Sequence, residues 1–541
     1  MSPALLVALE RLPMSKSVVV IGGGIGGMAT AGLLAKDGYQ VTLVEANARL
    51  GGRAGLWEKD GFRFDTGPSW YLMPEVFDHW YQLMGTSASE HLKLTKLDPG
   101  YRVYFEPDGG GSAEYVDVRA NREDNLALLE KMEPGSRASM EKYLDSAEET
   151  YNIAKEFFLY TSFQDLRTLL VPQVLKRAGT LFRLLTTPIM TFAKKYTSNP
   201  RIQQLLGYPA VFLGSSPYIA PSMFHLMSHL DLQDGVLYAE GGFVRVMDSM
   251  REIIESSGVT VLTNSRVSAI TTQRSGGKAK ATGVTFLDVE GDSHTLVADL
   301  VVSTADLHHS ETTLLPSELQ TYPQSWWDKK VAGPSATLLY LGIKGEVPEL
   351  LHHSLFFTKD WDDNFSRIFS NPPTIPNPAS IYACKPSETD SSVAPKGHSN
   401  VFVLIPMPAD VSMGHGGVNG SGDALVEEIA DRSIEQIARW SGATDLAERI
   451  VLRRSVGPAD FAMDLGAWKG TALGPAHTLG QSALFRAGNV SKKVQDLYYA
   501  GSSTIPGIGL PMCLISAEVV LKRIRGDVST GPLPTPLTPV A

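Results

Sequence analysis

Between residues 17 and 45 the hydrophobic pattern changes period twice. Residues 17–21 (SVVVI) form a β-branched apolar run of strand length, and residues 28–39 (MATAGLLAKDGY) carry apolar positions at helical spacing. Residues 40–45 (QVTLVE) return to strand character, and Gly38 suits the left-handed position that follows a helix. The chain therefore opens on a strand, a turn, a helix and a second strand. Further along, residues 336–343, 380–384 and 401–406 read as strands, and about 125–230 is dominated by helical periodicity. Residues 260–270 (TVLTNSRVSAI) read as one strand. Residues 497–511 (LYYAGSSTIPGIGLP) read as a buried strand running into a small-residue turn, with Pro511 opening a helix over 512–526.

Composition narrows the class. With 541 residues the chain is long enough for two domains with separate cores, and 43% hydrophobic with 20% charged residues is ordinary for a globular protein. A formal net charge of -10 argues against nucleic acid as a partner, since phosphate-backbone affinity needs clustered cations. The two cysteines, Cys384 and Cys513, make no disulfide framework and no metal-ligand spacing, which fits a reducing, cytoplasmic location. Residues 1–13 (MSPALLVALERLP) lack the basic opening of a signal peptide and are expected to be a disordered leader or to reflect an upstream start, since the strand pattern begins only after Met14. No uninterrupted apolar run is long enough to span a bilayer, so any membrane contact is expected to be peripheral.

The first turn carries the strongest chemistry: Gly22-Gly23-Gly24-Ile25-Gly26-Gly27. Gly22 permits the tight turn, Gly24 lets a pyrophosphate approach the backbone, and Gly27 lets helix and strand lie close. The free N–H groups and positive dipole end of the helix then face the phosphates. Glu45, eighteen residues after Gly27 at the end of the second strand, is placed for ribose hydroxyls. Strand, glycines, helix and terminal acid stand in register, so a dinucleotide site is expected, with NAD and FAD both open at this point.

The residues beyond the second strand favour FAD. Residues 49–53 (RLGGR) place an arginine among glycines, where it can reach a phosphate without side chains in its way, and residues 65–69 read DTGPS. These runs resemble the bacterial-type phytoene desaturases, within the wider amine-oxidase-like FAD superfamily. So do PSWYLMPEVFDHW, GYPAVFLGSSP, MFHLMSHLDLQDGVLYAEGGF, GPADF and LPMCLISAE, which extend the likeness over about 16–526. The resemblance implies that Gly52, Arg53 and Gly67 lie along the pyrophosphate and flavin, and that the Val267 backbone meets the adenine. It also implies that Gly501, Ser502 and the backbone from Gly509 to Met512 surround the flavin ring. The chain departs from the wider family where a glycine-alanine pair and a histidine are usual, having Ser502, Ser503 and Ile505. The family has a charged cluster facing its substrate tunnel, which makes Arg201 a candidate catalytic residue; the plainer reading is one more surface arginine.

The implied activity is desaturation of phytoene towards lycopene, with oxygen or a quinone taking the electrons. A carotenoid cis-trans isomerase or ketolase, or a non-enzymatic lipid carrier, are the alternatives on the same fold. The implied architecture is α/β. A Rossmann-like FAD-binding domain is discontinuous over 14–90, 230–310 and 490–526. A mixed-sheet substrate domain with a helical, membrane-facing cap fills 91–229 and 311–489. The proline-rich end, 527–541, is expected to be a disordered tail.

Three other stretches carry possible chemistry. Residues 157–204 hold seven basic groups (Arg167, Lys176, Arg177, Arg183, Lys194, Lys195 and Arg201) against the single acid Asp165, interleaved with leucines and phenylalanines. That combination suits either an interfacial helix on anionic lipid or a helix pair with a solvated basic face. The glycine-rich run 414–422 stands too far from the preceding strand to cradle phosphate and is expected to be a flexible loop, leaving no NAD(P)H site. His308-His309 and His352-His353 lack metal spacing, so no metal is expected; Tyr382 and Trp468 are candidates for an apolar pocket or for ordinary core.

Overall fold

The computed structural model describes residues 16–275 and 277–539. Its first layer is a parallel five-stranded sheet of β1 (Ser17–Ile21), β2 (Gln40–Val44), β3 (Thr260–Leu262), β4 (Leu300–Ser303) and β5 (Leu497–Tyr499), in the spatial order β5-β4-β1-β2-β3. The strands are apolar on both faces because both are covered. Val18, Val20, Leu43 and Val302 meet α1 (Ile25–Lys36), α2 (Phe243–Ser256) and α3 (Leu510–Arg525). Val19, Ile21 and Val301 meet the antiparallel strands Arg266–Ser275, Lys278–Leu287 and Ser293–Val297. Gly38, with φ 94°, ends α1 as its position requires.

The second layer is a seven-stranded mixed sheet in the order Ile450–Val456, Ser335–Lys344, His398–Met407, Ile381–Cys384, His353–Phe357, Tyr101–Phe105, Glu114–Val118. Only His353–Phe357 and Tyr101–Phe105 run parallel to one another. The helix Ala424–Ser441 covers one face. The other face meets the hairpin Leu56–Lys59/Phe62–Asp65 and, beyond it, a helical cap drawn from residues 122–229. No helix among the described residues is long and apolar enough to cross a membrane.

Three expectations change. Residues 260–270 are two strands: β3 closes the parallel sheet, a turn with Asn264 at φ 52° intervenes, and the strand from Arg266 crosses to the antiparallel layer. Residues 527–539 are no loose tail, for Leu533 and Leu537 are 5% and 3% exposed. Lys522 Nζ donates to the carbonyls of Ser529 (2.9 Å) and Gly531 (2.6 Å), and Leu537 N donates to Leu83 O (3.1 Å). Two leucines spaced among prolines fill an apolar groove that composition alone does not reveal. The run 414–422 is pinned to the strand beside it, with Ser455 N donating to Gly417 O (2.8 Å) and Gly416 N to Asp460 Oδ2 (2.7 Å). The expected leader, 1–13, lies outside the described residues.

Candidate active site

The glycine turn after β1 does what its residue types require. Gly22 holds φ 96°, and a Cβ on Gly27 would lie 1.9 Å from Gly22 O. Above Gly24 there is room, the nearest atom to a Cβ there being Gly51 O at 4.0 Å. Gly51 N donates to Gly23 O (2.9 Å), which brings the second glycine run across the first. Glu45 is buried, its Oε2 accepting from Gly23 N (2.6 Å) and its Oε1 from Asn47 N (2.8 Å), so its carboxylate is anchored between the end of β2 and the turn. Val267 is buried against Val19, Ile21 and Val44, at the same end of the sheet.

A second set converges from the other end of the chain. Gly501, at φ 105°, follows β5 and touches Gly26, whose Cβ would stand 3.5 Å from Gly501 Cα. Gly509, at φ 120°, precedes α3, with Pro511 and Met512 in its first turn. Neither α1 nor α3 carries a side-chain cap or an acid in its first turn, so both helix N-termini keep N–H groups for an anion. Arg53 Nε donates to Ala472 O (2.7 Å), while its Nη2 is buried without a partner. A Cβ on Gly67 would fall 2.5 Å from Arg53 O, so only glycine fits there. An orphaned guanidinium N–H beside two uncapped helix ends fits an anionic dinucleotide, since a buried unpaired donor is costly.

The structure thus brings Gly22, Gly24, Gly27, Glu45, Gly52, Arg53, Gly67, Gly501, Ser502, Gly509 and Met512 to one end of the parallel sheet, with Val267 beside them. Arg201 does not join them. It sits on the cap, half-exposed, ion-paired with Glu114 and stacked over Phe105 (4.9 Å), which matches the plainer reading of it. The residues the sequence did not reveal are Arg486, whose Nη2 donates to Ser502 O (2.6 Å), and His477, whose Nε2 accepts from Ile508 N (3.3 Å). Neither belongs to a motif; only the fold carries them to the turn that runs from Gly501 to Gly509.

Between the two layers lies an aromatic cluster. Trp70 packs on His353 (4.8 Å), Tyr101 (5.1 Å), Phe212 (5.2 Å) and Tyr382 (6.4 Å). Gly214, at φ 58°, turns the chain over Ile508 and Leu473, so this cluster continues towards the Gly507–Gly509 turn. Tyr382 is therefore part of this cluster, whereas Trp468 is core packed on Trp327 (4.9 Å). A cavity of ≈ 20 Å³ beside it is lined by Asp65, Ser69, Tyr71, Tyr238, His352 and Cys384, which is room for about one water. One ring nitrogen each of His352 and His353 and the Cys384 sulfur lie within 4.8 Å of one another. Ligands on a tetrahedral zinc, at ~2.0 Å for nitrogen and ~2.3 Å for sulfur, stand about 3.5 Å apart, so this cluster is looser than a closed site. Both imidazoles are kept neutral by burial, and their Nδ1 atoms pair with Thr389 Oγ1 and Tyr382 OH, each at 2.8 Å.

Asp231 borders the aromatic cluster, its Oδ2 accepting from Tyr101 OH (3.0 Å) and Tyr208 OH (2.9 Å). Burial pushes its carboxyl up to about 6 from 3.8. The folded form therefore holds the proton more tightly than the unfolded chain, so the contribution is full below about pH 4 and is lost as pH rises to about 6. At 1.36 kcal/mol per unit the loss is roughly 3 kcal/mol. Unfolding of wild type and Asp231→Asn at pH 4 and pH 7 is expected to show the balance moving towards the variant at the higher pH. An equal difference at both pH values would contradict the buried-acid account.

A parallel sheet with a glycine turn and two anion-facing helix ends defines a dinucleotide-binding fold. The chain matches the flavin-containing amine oxidoreductase family over residues 25–520 and belongs to that family; it is a flavoprotein, and FAD is its cofactor. It is 40% identical to a carotenoid 3,4-desaturase of Haloarcula japonica, over 95% of this chain and 99% of that protein. It is 31% identical to a phytoene desaturase of Fusarium fujikuroi, over 95% and 90%, and 29% identical to a 4,4'-diapophytoene desaturase of Staphylococcus aureus, over 95% and 99%. Among solved structures, putrescine oxidase bound to putrescine matches 95% of this chain and 99% of its own, with a TM-score of 0.59 at 13% identity, which speaks to the fold alone.

Proposed function

We propose that this protein is an FAD-dependent carotenoid desaturase that introduces double bonds into phytoene or a more unsaturated acyclic relative. The observation that carries the reading is the near-full-length 40% identity to a carotenoid 3,4-desaturase. The apolar, aromatic character of the cluster from Trp70 to Ile508 supports it, since a polyene offers nothing to hydrogen-bond. FAD would be held by the glycines of the two turns, Glu45, Arg53 and the N-termini of α1 and α3, and when bound it accepts a hydride from an allylic carbon. The resulting cation is delocalised along the polyene and loses the neighbouring proton to make the new double bond. The chain's own work is orientation and exclusion of water: Trp70, Phe212 and Tyr382 would hold the polyene, and the turn at Gly214 would guide it past Ile508. Oxygen or a quinone would reoxidise the flavin.

A second site of action has its own support, because the 40% identical relative is named for the 3,4 position. Incubation of the FAD-loaded protein with phytoene and, separately, with lycopene in liposomes distinguishes the two. A red-shifted polyene from phytoene supports early desaturation, and one from lycopene supports action at 3,4. A product of unchanged hydrogen count would mean an isomerase, a carbonyl would mean a ketolase, and a polyene bound without chemical change would mean a carrier.

The cap would meet the membrane through its basic segment. Leu170 and Phe182 are 64% and 69% exposed, Leu166 and Leu175 also face solvent, and Arg167, Lys176 and Arg183 stand among them. Such a surface suits anionic lipid. The double variant Leu170→Glu/Phe182→Glu is expected to lose most of its sedimentation with anionic liposomes while keeping its FAD. Full retention on liposomes would remove this surface from the reading.

A further inference from the structure

Arg486 is 6% exposed. Its Nη1 donates to Gln481 O (3.1 Å), its Nη2 to Ser502 O (2.6 Å), and its Nε has no partner. Among the described residues no carboxylate stands within ion-pair distance of it. Burial pulls the guanidinium down to about 9 from 12.5, the mark of a cation whose charge is uncompensated. His477, next to it, is held neutral by burial and by Arg486 itself, so it supplies no negative charge either. Arg53 bears on the same helix end: the charges of both guanidiniums oppose the upward push of burial on the Cys513 thiol in the first turn of α3. Two arginines bonded only to carbonyls, and a helix N-terminus with no acid in its first turn, all present positive charge at one buried point. Isolated buried charge costs several kcal/mol unless an anion arrives to meet it.

The pyrophosphate of FAD is one such anion, and the glycine turn and Arg53 are arranged for it. The other forms only on reduction, when flavin gains two electrons and one proton and gathers negative charge near N1 and C2=O. We propose that Arg486, fixed on the Ser502 carbonyl, is the positioned cation that favours reduced over oxidised flavin and so sets the enzyme's oxidising strength. This rests on the flavoprotein assignment and is independent of which carotenoid is the substrate. The guanidinium needs no movement to act, since its backbone carbonyl partners hold it in place before any electron arrives.

The test uses FAD-loaded wild type, R486Q and R486K, with no carotenoid present. Wild type is expected to form the red anionic semiquinone on photoreduction and to add sulfite at flavin N5. R486Q, with FAD retained, is expected to weaken sulfite binding at least tenfold and to lower the reduced-to-oxidised preference at least tenfold, about 30 mV for a two-electron couple. R486K is expected to recover part of both changes. An FAD-loaded R486Q with unchanged potential and sulfite affinity would overturn the proposal, and so would equal shifts in the two variants. If R486Q fails to fold, wild type decides alone, for a blue neutral semiquinone with no sulfite adduct overturns it equally. Because none of these measurements involves a carotenoid, a negative desaturation assay would sink the substrate reading and leave this one standing.

Discussion

Gly27→Ala is expected to purify without FAD and to unfold at a lower temperature than wild type. The new Cβ would lie 1.9 Å from Gly22 O and 2.7 Å from Thr304 Oγ1. The first contact is with backbone, so relief requires α1 to move away from the turn after β1. Overpacking of this kind costs typically ~1–3 kcal/mol in stability. Its effect on the cofactor is larger, because the same shift displaces the N–H groups of the helix N-terminus that face the pyrophosphate. Flavin absorbance of the purified variant, alongside its thermal unfolding, checks both halves. A variant that retains stoichiometric FAD would show that the close approach of Gly22 and Gly27 is not what holds the phosphate end. Gly38→Ala is the control, since a Cβ there meets nothing within 4 Å although its φ of 94° is strained. It is expected to destabilise the protein mildly and to keep the flavin.

Arg53→Met is expected to weaken FAD binding by about 100-fold. Removing one side of a buried, charge-assisted contact costs ~2–5 kcal/mol, and ~3 kcal/mol corresponds to that factor. Arg53 qualifies because its Nη2 is buried and unpartnered in the protein itself, so its bond is reserved for the ligand. Methionine keeps most of the volume, and the Ala472 carbonyl that Nε now satisfies would lose its donor. Fluorescence titration of the stripped protein with FAD reads the affinity directly. An affinity within threefold of wild type would mean that the arginine serves the loop at Ala472 and not the cofactor.

These two residues differ in how legible they are along the chain. Gly27 is named by spacing alone, because a strand, a glycine turn and a helix are consecutive in the chain and the physics that joins them is local. Arg53 is visible only in company, as an arginine between glycines and after a second strand. Arg486 is invisible there: its neighbours SALF and AGNV form no motif, and its meaning comes from the carbonyl of Ser502 and from the lack of a carboxylate around it among the described residues. Arg201 shows the converse, since the family resemblance suggests the tunnel while the fold pairs it with Glu114 on the edge strand. The strand at 260–270 is legible as extended chain but not as two strands in different layers, because that division depends on which sheet each half can reach.

The amino-acid sequence by itself determined the strand, turn and helix that open the chain, the residue at each special backbone position in it, and the family to which the whole belongs. These rest on neighbours in the chain, where period, glycine placement and charge act directly on φ, ψ and local hydrogen bonding. Only the tertiary structure decided that Arg53 and Arg486 both bear on the first turn of α3, that Trp70, Phe212 and Tyr382 form one cluster, and that Leu533 and Leu537 tie down a proline-rich end. Each of those joins residues from distant segments, and the free energy that brings them together belongs to the packed core as a whole rather than to any stretch of sequence.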